Sequence, residues 1–185
     1  MSINFYSNEI KEYFFFINNI DNLILKKINQ FKKKSIIYSP DNGEIDLVKI
    51  NHIKNICKKN GIACYIMDNF KLAKKLNIDG VTISTKNKKV FPKARYKPNF
   101  KIIGIVHNQL EYYEKVNQNC DSVMLSPIFY NPKFKMAKIL GPIKFRLKKL
   151  NWSLPATALA GINLKNLRKV KLSGSNSVAI KSGLK

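Results

Sequence analysis

The run Ala156-Thr157-Ala158-Leu159-Ala160-Gly161-Ile162-Asn163, followed by Ser177-Val178-Ala179-Ile180-Lys181-Ser182-Gly183, decides the fold. It holds two short apolar strands, each running out into small and polar residues. An amphipathic helix is expected between them, with Leu164, Leu167, Val170 and Leu172 apolar and Lys165, Arg168 and Lys169 charged. In a β/α barrel the backbone amides after the last two strands commonly hold a phosphate. The run therefore implies both an architecture and a ligand group.

Upstream, the same alternation repeats. Near-continuous apolar runs suit strands buried on both faces of a parallel sheet. They predict strands over Tyr13–Ile17, Ser35–Tyr38, Ala63–Met67, Gly80–Ile83, Ile102–Val106, Ser122–Leu125, Ala156–Ala160 and Ser177–Ile180. Helices are expected over Asp46–Asn60, with Ile50, Ile53 and Cys57 on one face, and over Phe70–Leu76, with Leu72, Ala73 and Leu76 inward. Asn108–Asn119 opens on an N-cap with Glu111 at the third helical position. Pro142–Leu150 carries Ile143, Leu147 and Leu150 on one stripe. Ser84–Phe100, with Pro92 and Pro98, reads as an irregular loop.

Eight strands alternating with helices predict an α/β fold, a compact (β/α)8 TIM barrel with the final helix short or missing. An open doubly wound sheet is the alternative, but no Gly-rich turn follows the first strand, so a dinucleotide site has no support. The 185 residues are expected to form one domain spanning 1–185. That is short against the roughly 250 residues typical of this barrel, so connections must be brief.

The formal net charge of +23 attracts anions in general. Of the 34 basic residues only Arg95, Arg146 and Arg168 are arginine, and the lysines are spread along the whole chain. A dedicated nucleic-acid binder concentrates charge on one face and uses arginine for bidentate contacts. The expected partner is a phosphorylated small molecule, with no specific nucleic acid; a homo-oligomer is left open. Cys57, Cys64 and Cys120 form no C-x-x-C pair and read as small buried residues. No stretch has the length of a membrane span, and Met1-Ser2-Ile3-Asn4 lacks a signal-peptide start, so a cytoplasmic location is expected.

From Cys64 onward the order of segments resembles the thiamine phosphate synthase/TenI superfamily. The residues that carry the resemblance are Ile66-Met67-Asp68, Asp79-Gly80-Val81, Ile102-Ile103-Gly104 with His107-Asn108, Asp121-Ser122-Val123 with Ser126-Pro127-Ile128-Phe129, Leu140-Gly141-Pro142, Ala158 to Asn163 and Val178 to Ser182. The resemblance implies a barrel enzyme of thiamine biosynthesis. Such enzymes join hydroxymethylpyrimidine diphosphate to thiazole phosphate with Mg²⁺. TenI relatives instead tautomerise a thiazole carboxylate phosphate by general acid/base chemistry. A catalytically weakened relative that binds the thiazole phosphate or thiamine phosphate without turnover is the alternative.

Residue by residue, the resemblance implies that the amides at Gly161 and Ser182 bind the thiazole phosphate. It implies that Asp68 binds the metal and that Asn87 stands where a second metal-binding aspartate is expected. An amide oxygen also coordinates Mg²⁺, with one charge fewer. Lys133 or Lys135 would replace a lysine expected after strand six, and His107, on the catalytic rim, is an acid/base candidate. The basic cluster expected after strand two is replaced by Tyr38-Ser39-Pro40-Asp41-Asn42, and the TenI histidine falls at Pro127. On their own residues, Asp68 also reads as a helix cap, His107 as a helix-starting residue, Lys133 as solvated surface and Gly161 as a tight turn.

Overall fold

The computed structural model describes residues 10–40, 43–90, 92, 97–131 and 139–181. Eight parallel strands close into a barrel in sequence order. They are β1 (Glu12–Ile17), β2 (Lys34–Tyr38), β3 (Ala63–Met67), β4 (Gly80–Ile83), β5 (Lys101–Val106), β6 (Ser122–Leu125), β7 (Ala156–Leu159) and β8 (Ser177–Ile180). The last strand pairs with the first, from Glu12 opposite Ser177 to Phe15 opposite Ile180, which rules out the open sheet. The helices are α1 (Asn22–Asn29), α2 (Leu47–Lys59), α3 (Phe70–Lys75), α4 (Gln109–Asn117), α5 (Gly141–Leu150) and α6 (Leu167–Lys171).

Side chains alternate across each strand, so closure sorts them into two cores. Phe14, Phe16, Ile37, Tyr65, Ile103, Met124, Leu159 and Ala179 pack inside the barrel. Strand residues of the opposite parity, including Phe15, Ile36, Ile66, Val81, Ile102, Val123, Ala158 and Val178, face outward and pack with the helices. The bottom of the interior is polar: Ser35 Oγ donates to Glu12 Oε1 at 3.3 Å, and the Thr157 and Ser177 hydroxyls meet at 2.6 Å. Asp79 and Asp121, each just before a strand, accept the backbone N–H of Cys64 and of Ile102 on the preceding strand, at 2.9 and 2.8 Å. These two motif aspartates therefore fix strand register at the closed end.

The helices begin where polar caps leave the strands. Asp21, Asp46, Asn69 and Asn108 accept from the first-turn N–H groups of α1 to α4. Each such cap contributes about 1 kcal/mol. Lysines crowd the last turns, where the helix dipole favours cations. Between β4 and β5 the described residues form no helix. Helix α1, which no periodicity had singled out, fits between β1 and β2 with Ile28 fully buried.

Two expectations are corrected. The Ile143, Leu147 and Leu150 stripe of α5 faces solvent, at 74%, 58% and 72% exposed, while Phe145 between them is fully buried. The segment between β7 and β8 is a 3-10 turn (Leu164–Asn166) running into α6, in which Val170 is buried but Leu172 is exposed. Both follow from one geometric fact. An apolar stripe marks a helix face, but a short helix is rotated by its anchors, here Phe145 and Val170. Phe145→Ala is therefore expected to cost about 3–5 kcal/mol in urea unfolding, whereas Leu147→Ala changes stability by no more than about 0.5 kcal/mol. Equal costs would contradict the observed rotation.

Candidate functional site

Eight strand ends ring one mouth, and a cavity of about 250 Å³ opens there. Its floor is apolar, from Phe16, Met67, Ile105 and Leu159, while its rim carries His107, Ser126, Gly161 and Lys181. The β7 corner is built from backbone. Ala160 and Gly161 both take left-handed conformations, with φ of 73° and 70°. A β-carbon at Gly161 would lie 2.6 Å from the backbone of Phe129 and Tyr130, so only glycine fits. The carbonyls are consumed: Ile128 N–H donates to Leu159 O, Phe129 N–H to Ala160 O, and the Asn166 side chain to Gly161 O at 2.7 Å. Among the described residues, no acceptor meets the N–H of Gly161 or of Ile162.

Next to this corner, β8 runs out into Lys181. Its ammonium lies 5.9 Å from the centre of the Phe16 ring, a cation–π contact that sets it at the mouth. In sequence Lys181 is one lysine among many at the end of an apolar run. The period of β8 contains the signal, because residues 177, 179 and 181 share the inward parity of the strand.

Asp68 and Asn87 lie side by side and are hydrogen-bonded to each other. Asp68 turns left-handed after β3 (φ 50°) and its N–H donates to Thr82 O at 2.9 Å. Its Oδ1 accepts from Ser84 N–H at 2.9 Å and from the Asn87 amide at 3.1 Å. The capping of α3 falls to Asn69, which accepts from Leu72 N–H. Asn87 shows its NH₂ to Asp68, while its amide oxygen accepts from Lys89 N–H at 3.1 Å. Among the described residues, no cluster of three or more His, Cys, Asp or Glu is placed to hold a metal. Mg²⁺ needs less than that, because it is often held by one or two carboxylates together with substrate phosphates and water. Asp68 Oδ2, with no hydrogen-bond partner among the described residues, fits such a metal as a single protein ligand, and Asn87 fits as the group that orients it.

His107 follows β5 on the rim. Its backbone N–H and its Nδ1 both meet Glu111 Oε2, at 2.7 and 3.0 Å. A carboxylate only accepts, so Nδ1 is the donor, and in the neutral ring Nε2 carries the lone pair. Glu111 in turn is fixed by Asn108, the cap of α4, through bonds of 3.1 and 2.9 Å. Lys133, Lys135 and Ser182 lie outside the described residues. Beyond β2 the rim is acidic, where a second cavity is lined by Tyr38, Glu44, Asp46 and Lys49. Hydrogen bonding from the Lys49 amide holds the Asp46 carboxyl below its usual range, so this position stays anionic.

Known proteins match this geometry. The family model for thiamine monophosphate synthase covers residues 30–184. The chain belongs to that family. A thiamine-phosphate synthase from Pelagibacter ubique is 34% identical over 171 residues, covering 89% of this chain and 80% of that one. The thiamine phosphate pyrophosphorylase structure from Pyrococcus furiosus superposes with a TM-score of 0.71 at 18% identity, covering 95% of this chain and 87% of that one. TrpF from Jonesia denitrificans superposes with a TM-score of 0.62 at 11% identity, covering 93% and 86%. At such identities the superpositions establish the barrel, and the family assignment rests on the sequence matches. No described helix of this synthase-family chain is long and apolar enough to cross a membrane.

The β7 corner gives a direct test. Gly161→Ala adds a β-carbon against backbone in a left-handed conformation. It is expected to lower unfolding free energy by about 1–3 kcal/mol in chemical denaturation. An unchanged midpoint would mean the corner is not as tightly built as its 2.6 Å approach requires.

Proposed function

We propose that this family member makes thiamine phosphate, joining hydroxymethylpyrimidine diphosphate to thiazole phosphate. One observation carries the reading. The rim carries two different poles on opposite sides: the unspent amides of Gly161 and Ile162 beside Lys181 at β7 and β8, and, bonded to Ser84 of the cavity wall, the Asp68 carboxylate, which reaches an anion only through a cation. In this reading the thiazole phosphate sits on the first pole. Ser182 and Lys133, assigned by family resemblance, would add an amide and a cation. The diphosphate sits at the second pole with Mg²⁺, for which Asp68 is the protein ligand. The metal would supply charge neutralisation to the departing diphosphate.

The chemistry breaks the bond between the pyrimidine methylene carbon and the diphosphate oxygen, and the electron pair leaves with the diphosphate. The thiazole nitrogen then donates its lone pair to the methylene carbon. Phe16, Met67, Ile105 and Leu159 keep water from the cation in that interval, since capture by water would yield the alcohol instead. His107, with Nδ1–H held by Glu111, presents Nε2 for proton transfer or hydrogen bonding at the rim. Full-length protein with both substrates and Mg²⁺ is expected to form thiamine phosphate, read by chromatography. A folded sample that yields none defeats the synthase reading. Lys181→Met is expected to raise KM for the thiazole phosphate about tenfold with a smaller change in kcat, as loss of ground-state phosphate binding predicts.

The acidic rim beyond β2 favours a second reading, in which the chain binds the thiazole phosphate or thiamine phosphate without turnover. A thermal shift with these ligands in the absence of product formation would select it. Saturation at a hundredfold excess over Kd adds about 2.7 kcal/mol.

A further inference from the structure

Helix α4 buries a lysine. Lys115 is completely shielded from solvent although it lies on a surface helix of a lysine-rich chain. Its ammonium meets three acceptors: Gln118 Oε1 at 2.7 Å, Ser84 O at 2.8 Å and Asn87 O at 3.0 Å. An ammonium has three N–H donors, so the charged form is fully satisfied here. The stem crosses β5 at Gly104, where a β-carbon would sit 2.6 Å from Lys115 Cγ. Gln118, also buried, donates to Asn87 O at 2.9 Å and to Lys89 O at 2.8 Å. At the surface Lys88 pairs with Glu114 of the same helix.

Two of the three oxygens held by Lys115 belong to the residues that hold Asp68. Ser84 gives Asp68 its backbone N–H and Asn87 gives it the side-chain amide. The loop after β4 has no helix of its own among the described residues, so these buried groups take the place of packing. We propose that Lys115, with Gln118 as its partner, is a positioning residue for the Asp68 pole, fixing Ser84 and Asn87 so that the carboxylate meets a metal–diphosphate in one orientation. The inference rests on the assignment of that pole to the diphosphate. A buried polar hub of this kind is costly when half-made: removing the ammonium takes the donor from Gln118 Oε1 and one of two donors each from Ser84 O, which keeps the Asn87 N–H, and Asn87 O, which keeps the Gln118 amide. It also sets a positive charge beneath a loop that must receive an anion. Burial lowers the pKa of Lys115 and Lys88 adds to the shift, while Cys120, Glu114 and, least of them, Asp68 oppose it.

The test uses the full chain and Mg²⁺ with inorganic pyrophosphate, followed by isothermal titration at a temperature where every variant is folded. Lys115→Met is expected to weaken Mg²⁺–pyrophosphate binding about tenfold or more, the range seen when outer-shell partners of a metal site are lost. Binding of thiamine phosphate through the β7 corner should change far less. Amide hydrogen exchange across residues 84–89 should speed up in the same variant. Gly104→Ala displaces the lysine stem without touching its charge, and Gln118→Ala removes three of the five hydrogen bonds of the hub. Both are expected to shift pyrophosphate affinity in the same direction by smaller factors, and they carry the test if Lys115→Met does not fold. A merely structural lysine would lower the melting temperature and leave the ratio of the two affinities unchanged, which would overturn the proposal. Wild-type protein that binds no Mg²⁺–pyrophosphate would instead overturn the assignment of the pole, and the positioning role with it.

Discussion

The ladder between β1 and β8 is the constraint on which the rest depends. Until Glu12–Phe15 pair with Ser177–Ile180, neither terminal strand has a second neighbour, and the inward residues have no enclosed space to fill. Once the ladder forms, strand parity decides everything downstream. Phe14 and Phe16 must point inward while Phe15 and Ile17 pack outward. All eight strands are parallel, so all eight carboxyl ends share one rim. That rim is where helix caps, left-handed corners and unspent amides collect, because the chain must turn from strand to helix within a few residues. The non-glycine residues Asp68 and Ala160 both adopt positive φ there. Such conformations cost on the order of 1–2 kcal/mol each and persist because the surrounding hydrogen bonds over-determine them.

The strands were legible because a fully buried parallel strand leaves an uninterrupted apolar signature. Boundaries moved by a residue at most: β7 stops at Leu159, since Ala160 is already in the left-handed turn. Helix identity was legible from caps and charge, but helix rotation was not. Apolar side chains at Ile143, Leu147 and Leu150 cannot announce which face the barrel will cover. A single Phe145 with a matching hole outweighs three leucine-like residues without one. Helix α1 is strongly amphipathic, with Ile24, Leu25 and Ile28 toward the core, but its eight residues give only about two turns over which to read a period. At the site, Gly161 and the pairing of Asp68 with Asn87 could be reached from the order of motifs. The use of Asn87 as a donor toward Asp68, and of Asn69 as the cap, needed coordinates, because adjacent polar residues offer the same chemistry to either task.

Lysine shows the same limit in sharper form. Thirty-four basic residues against eleven acidic ones make any single lysine uninformative in sequence. Yet Lys181 stands at the mouth over an aromatic ring, and Lys115 is sealed beneath a loop. What separates them is the neighbour. Phe16 on the adjacent strand gives one a platform, and the missing side chain of Gly104 gives the other a channel. Gly104 reads in sequence as part of a strand motif, while in the fold its function is the space it leaves.

The two poles of the mouth are built from different materials, and this bears on how each tolerates change. The β7 corner offers backbone N–H groups, fixed by Gly161 and by the Asn166 bond to its carbonyl. Side-chain substitutions around it leave those donors in place. The β3–β4 pole depends on side chains: Lys115 holds the backbone carbonyl of Asn87, and the Asn87 amide in turn holds Asp68. There a change of one residue type demands accommodation by others. An amide at position 87 beside Asp68 removes the repulsion that a second carboxylate would bring, and it donates a hydrogen bond in exchange. A loop relieved of that repulsion holds one carboxylate firmly instead of two that need a metal between them. In the proposed reading, the Lys115 ammonium beneath this loop is a positive charge that the protein itself holds on the diphosphate side of the mouth.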